Sequence, residues 1–190
     1  MNKKLLAMGL LLSMTAGSAM AAANSGTTIG TGTIAVTGTV GTSTCSVTFP
    51  QSVTMPSVTT AMYNKTQQLN AMVQQPAGNI QFSGCNGQSV NLKVMASNVA
   101  AVAGNKVVAY PKVNNKEQGW LGLSFAVSTD SGSVFKYLKL DNSPSEPISV
   151  TSDTFALPVR VDAVKMSTNN ATDVGQGNYS ASFVVTATYA

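Results

Sequence analysis

Runs of alternating apolar residues, broken every few positions by turn-forming residues, restrict this chain to a β architecture. In Val90, Leu92 and Val94, and again in Phe155, Leu157, Val159 and Val161, every second residue is apolar. That period puts one row of side chains on one face of an extended strand. No long stretch keeps the three-to-four spacing of an amphipathic helix. Many short strands between Gly, Pro, Asn and Asp turns predict a β-sandwich, and no repeat of fixed period points to a solenoid or propeller.

Strands are expected over 79–85, 90–94, 106–110, 120–127, 134–140 and 155–161, with a final one from Tyr179 to Ala190. Asn86-Gly87 reads as a hairpin turn between the first two of these. Pro158 predicts an edge position or a bulge. Asn142-Ser143-Pro144 and Glu146-Pro147 mark loops, and 169–177 reads as a polar loop. Residues 51–77 carry no clear pattern, and the Gln-, Asn- and Met-rich part from Asn64 to Gln75 fits either a short helix or a long loop.

The N-terminus reads as an export signal over 1–21. Lys3 and Lys4 precede an apolar run from Leu5 to Met14, too short to span a bilayer, and Ala19-Met20-Ala21 forms a cleavage site, with Ala22 or Ala23 as alternatives. No later stretch is long and apolar enough to cross a membrane. Cleavage leaves nine basic residues against seven acidic ones, a thin charge that gives no footprint for nucleic acid. Residues 22–41 form a Gly/Thr-rich extension and 42–190 one domain. Within the extension, Ile34, Val36, Gly38 and Val40 alternate with Ala35, Thr37 and Thr39, the pattern of a half-buried strand. Gly38 marks either a close backbone approach or a local bulge.

Two cysteines, Cys45 and Cys85, stand alone. In an exported chain such a pair is most simply a disulfide. Closing a loop of about 40 residues is worth roughly 4 kcal/mol on the chain-entropy model. The metal alternative lacks ligands, since the chain has no histidine and two thiols cannot complete a tetrahedral shell. The missing histidine also removes Ser-His and Cys-His nucleophile systems. The seven carboxylates form no acid/base motif and no phosphate loop appears, so no enzyme activity and no cofactor are expected.

The final strand has an apolar face at Tyr179, Ala181, Phe183, Val185, Ala187 and Tyr189. It is either an ordinary core strand or one that needs a further strand beside it. Trp120, between Gly119 and Gly122, is either a core residue or a glycan contact.

Four features together resemble the pilus subunits of the chaperone–usher pathway of Gram-negative bacteria. They are Ile34-x-Val36-x-Gly38-x-Val40 leading to Cys45; the Cys45/Cys85 pair; Leu157-Pro158-Val159-Arg160-Val161, similar to the Leu-Pro-x-x-Ala-Arg strand of such subunits; and a terminal pattern of Gly177, Phe183 and the penultimate Tyr189. They span nearly the whole mature chain, whereas Gln51 to Gln75 and Asn114 to Gly119 match nothing in the family. The resemblance implies an all-β, incomplete immunoglobulin-like sandwich that lacks its last strand, with the disulfide linking its first two strands. It implies that Ile34, Val36, Gly38 and Val40 complete a neighbouring copy by donor-strand exchange. A periplasmic chaperone would first fill the groove beside the last strand, gripping the subunit at Tyr189 and the Ala190 carboxylate. An outer-membrane usher would then assemble copies of the chain, or other pilus subunits, into surface fimbriae that mediate adhesion. The expected role is the major shaft subunit. The alternatives are a minor subunit, or one that itself binds a host receptor through a site such as Trp120.

Overall fold

The computed structural model describes residues 45–101, 107–114, 116–117, 119–170 and 178–190. In chain order these form β1 (Ser46–Thr48), α1 (Thr60–Lys65), β2 (Ala71–Ser83), β3 (Ser89–Ala96), β4 (Val99–Ala101), β5 (Val107–Ala109), β6 (Lys112–Val113) and β7 (Lys116–Glu117). They continue as β8 (Leu121–Val127), β9 (Lys136–Tyr137), β10 (Asp141–Pro144), β11 (Ile148–Ser149), β12 (Thr154–Lys165), β13 (Tyr179–Ser180) and β14 (Phe183–Tyr189). None of the described helices is long and apolar enough to cross a membrane.

Two antiparallel sheets form the layers. The larger runs β1-β2-β12-β8-β5-β4, with β9 also paired to β8. The smaller is centred on β3, with β10 and β11 in succession along one edge and β14 along the other. A third, minor sheet joins β13, β6 and β7. Alternation explains the core. Ile80 and Phe82 of β2, Leu123, Phe125 and Val127 of β8, and Leu157, Val159 and Val161 of β12 meet Val90, Leu92 and Val94 of β3. The Cys45–Cys85 disulfide sits beside this core and ties the start of β1 to the end of β2.

The central strand β8 is buried at all seven positions, so its second face must be covered as well. That face carries the small residues Gly122, Ser124 and Ala126. A Cβ at Gly122 would come within 2.9 Å of Val108 Cβ and Cγ2 and of Met166 Sδ. Tyr137 pairs opposite Ala126, and its hydroxyl donates to Asp162 Oδ2 at 2.7 Å. Asp162 is fully buried and is also held by Arg160, whose Nε and Nη2 donate to it at 2.7 and 3.0 Å. The Arg160 guanidinium lies 4.3 Å from the centre of the Phe135 ring. Small residues on β8 therefore give a buried polar cluster room to close over the sheet.

The structure revises several expectations. β2 and β3 lie in different sheets, so Asn86-Gly87 is not a hairpin turn. Gly87, at φ +77°, does turn the chain, but its N–H bonds Val150 O at 2.9 Å and β3 crosses to the other layer. Pro158 is not on an edge, since β12 lies between β2 and β8. It sits where the β8 ladder runs out: its carbonyl accepts from Ser128 N–H at 3.0 Å, and the reciprocal donor is the one that proline lacks. The expected irregularity is present, because the β2–β12 register shifts between Val159 and Arg160, next to Gly78 at φ +90°.

Only Lys136–Tyr137 of 134–140 is strand, and Asp141–Pro144, expected as loop, forms a short strand on β3. Residues 51–77 supply both a helix and the first part of β2. Thr59 caps α1 by accepting from Met62 N–H at 3.2 Å, and Tyr63 anchors the helix in the core.

The polar cluster should be indispensable to stability. Replacing Asp162 by Ala leaves a partly buried guanidinium and a phenol without their shared acceptor, with an expected loss of about 2–4 kcal/mol. Tyr137→Phe removes one charge-assisted bond and should lose about 1.5–3 kcal/mol. Urea unfolding of both variants measures this directly.

Candidate functional site

Strand β14 pairs with β3 over its whole length, from Phe183 opposite Ala96 to Tyr189 opposite Val90. Its other edge has no strand beside it among the described residues. The inward-facing Phe183, Val185 and Ala187 are only half-buried, although each packs against the core. Val184, Thr186 and Thr188 face solvent. The apolar row is thus backed by the sandwich and, among the described residues, open along one side.

The opposite wall is the chain after β1. Pro50 and Pro56 bracket an extended stretch in which Val53 and Met55 turn inward while Ser52 and Thr54 are exposed. Among the described residues, the backbone of 51–58 makes one hydrogen bond, accepted by Pro56 O from the Tyr179 hydroxyl at 2.8 Å. Between this wall and β14 lies a cavity of about 870 Å³. Ile80, Leu123, Phe125, Val159 and Val161 form its floor, and the Phe125 and Phe183 rings meet with centroids 5.6 Å apart. A groove with an apolar floor and, among the described residues, little backbone pairing on either wall suits an extended apolar segment, which would receive hydrogen bonds from its sides and pockets from below.

A known structure shares this architecture. One chaperone–usher pilus structure, from work on rod uncoiling, aligns with a TM-score of 0.57 and 15% identity, over 85% of this chain and 97% of that one. The fold is that of a chaperone–usher pilus subunit. The P pilus rod subunit PapA aligns with a TM-score of 0.49 and 16% identity, over 77% of this chain and 99% of that one. The CupB6 tip adhesin from Pseudomonas aeruginosa aligns at 0.47 and 13%, over 77% and 43%. No protein-family model and no curated protein matches the sequence.

The residues singled out in the sequence fall as follows in this pilin fold. Ile34, Val36, Gly38, Val40 and Gly177 lie outside the described residues. Phe183, Val185 and Ala187 share one face of β14. The run from Tyr179 is not one strand, however: Tyr179–Ser180 pairs with β6, and Ala181 and Ser182 are exposed and outside any strand. Tyr179 and Ala181 still line the groove, because the chain bends around its end. Tyr189 is 58% exposed, and the Ala190 N–H bonds Ser89 O at 2.9 Å. Trp120 is half-buried and lines the groove, with its ring edge-on to Tyr63 and the centroids 5.6 Å apart. Sequence reasoning missed the wall at 51–58. Its signal was the short alternation of Val53 and Met55 between two prolines.

Burial pushes the Tyr179 hydroxyl above its ordinary value of 10.0. Tyr137 is raised as well, first by burial and then by its bond to Asp162 and that carboxylate's charge. With the folded pKa raised, the fold favours the neutral phenol. Its contribution is complete below the unfolded value and is lost as pH rises through the folded one. Stability to urea should stay level up to about pH 10 and fall above it, with a shallower fall in Tyr137→Phe and in Tyr179→Phe.

Proposed function

We propose that this chain is a structural subunit that polymerises by donor-strand exchange, its groove receiving the Ile34–Val40 strand of a neighbouring copy. One observation carries the reading: the seven residues of β14 present a half-buried apolar row beside an edge that pairs with no strand among the described residues. The proposed donor is also seven residues long, and at about 3.3 Å per residue reaches roughly 23 Å. Ile34, Val36 and Val40 would each gain on the order of 1.5–3 kcal/mol by burial. Gly38 would let the donor backbone lie close to the floor. Ala35, Thr37 and Thr39 would face outward beside Val184, Thr186 and Thr188 of β14.

In this reading residues 1–21 direct export, and 22–41 carry the donor strand. A periplasmic chaperone lends a strand until the outer-membrane usher exchanges it, and the chain forms the bulk of a surface fimbrium that serves adhesion. Support comes from the shared fold and from the order of extension, cysteine pair and terminal strand in the sequence. Trp120 belongs to the end wall of the groove in this account.

Deleting Gly32 to Val40 should abolish fibres while leaving a one-to-one complex with the chaperone, as read by electron microscopy and size-exclusion chromatography. Fibres formed by the deleted chain would refute donor-strand exchange. Fusing the same segment after Ala190 should give a monomer whose thermal midpoint rises by on the order of 10 °C.

A further inference from the structure

The two long walls of the groove come from distant parts of the chain, and among the described residues one hydrogen bond ties the 51–58 wall to the segment that leads into β14. It runs from the Tyr179 hydroxyl to Pro56 O, at 2.8 Å. Tyr179 is not anchored by the strand whose edge is free. It sits in β13, where it pairs with Val113 of β6, while β14 pairs with β3. The tie is therefore held independently of the wall that an inserted strand would meet.

Both walls lose their extended form near this tie. On one side the inward-facing alternation of Val53 and Met55 breaks at Pro56, and the next inward residue is Val58, three positions on instead of two. Pro56 has no N–H to donate, and its carbonyl is already taken. On the other side β14 begins only at Phe183, after Ala181 and Ser182, which lie outside any strand. Val113 pairs with Tyr179 and, like Trp120, lines the groove. A strand lying in the groove would find partners along 51–55 and along β14, and would lose both together at Tyr179 and Pro56.

We propose that Tyr179 and Pro56 form an end stop that sets the register of the strand taken into the groove, an inference resting on the groove's being a strand acceptor. Tyr179 is then a positioning residue: its hydroxyl draws the walls together and so limits how far the apolar row of the guest can run. Register matters here because a slip along the groove would move Gly38 away from the place that requires it and put a side chain there.

The test uses the full chain and three synthetic peptides: the segment Gly32–Val40, and the same segment lengthened by one Val-Thr pair at either end. Trp120, the only tryptophan of the chain, lines the groove and reports binding by fluorescence. In the wild-type protein the pair added at the end facing the stop should bring no gain in affinity. In Tyr179→Phe, which keeps the ring and removes the tie, the same pair should gain roughly three- to tenfold, the factor that one net hydrogen bond or a small apolar burial gives. Pro56→Ala, which restores an N–H to the wall, should shift in the same direction. A gain of that size at both ends in the wild type, or none in either variant while Gly32–Val40 still binds, overturns the stop. If Gly32–Val40 does not bind the wild type at all, the strand-acceptor reading fails and the stop with it.

Discussion

A strand edge unpaired among the described residues, beside a half-buried apolar row, is the constraint on which the rest of this structure depends. Backbone N–H and C=O groups need partners, and an apolar row needs cover. β14 satisfies one side of each requirement through β3, and among the described residues its other side is open. The facing wall at 51–58 is in the same condition, with Pro56 O the one backbone group paired there among the described residues. An unfilled groove of this kind is an aggregation hazard for an isolated chain. Under the proposed donor-strand exchange, the same groove would be the means of assembly.

The larger sheet supplies the rigidity that an open groove requires. β12 pairs on both sides, with β2 along one edge and β8 along the other, so the floor residues Val159 and Val161 sit at the centre of the sheet. Over the far face of that sheet, Asp162 collects Arg160 and Tyr137 and pins β9 in place. The disulfide secures the strand that leads directly into the groove wall. Each of these devices holds a boundary of the groove without occupying it.

Much of the fold was legible because period-two alternation is a local signal. Val90-Leu92-Val94 and Leu157-Val159-Val161 are inward rows in the structure as they are in the sequence. What was not legible depended on which layer a strand joins. Asn86-Gly87 carries a hairpin's chemistry, yet the strands it connects lie in separate sheets, because the apolar faces of β2 and β3 bury against each other across the sandwich. Pro158 looked like an edge residue since its missing donor needs an excuse, and the end of the β8 ladder supplies one at the centre of a sheet. The groove's second wall was harder still. Its residues form no regular strand, and only the neighbouring β14 gives Val53 and Met55 a common purpose.

The pairing of β3 with β14 also governs the order in which the molecule can be made. Val90 and Tyr189 are partners separated by more than half of the chain. The smaller sheet therefore cannot close until the last strand has been delivered, whereas the close pairing of β4 with β5 can form early. Such non-local closure is slow and leaves strand edges exposed while it is awaited. Among the described elements, the groove beside β14 therefore depends on the pairing most distant in sequence, and its shape is a late, non-local product of the fold.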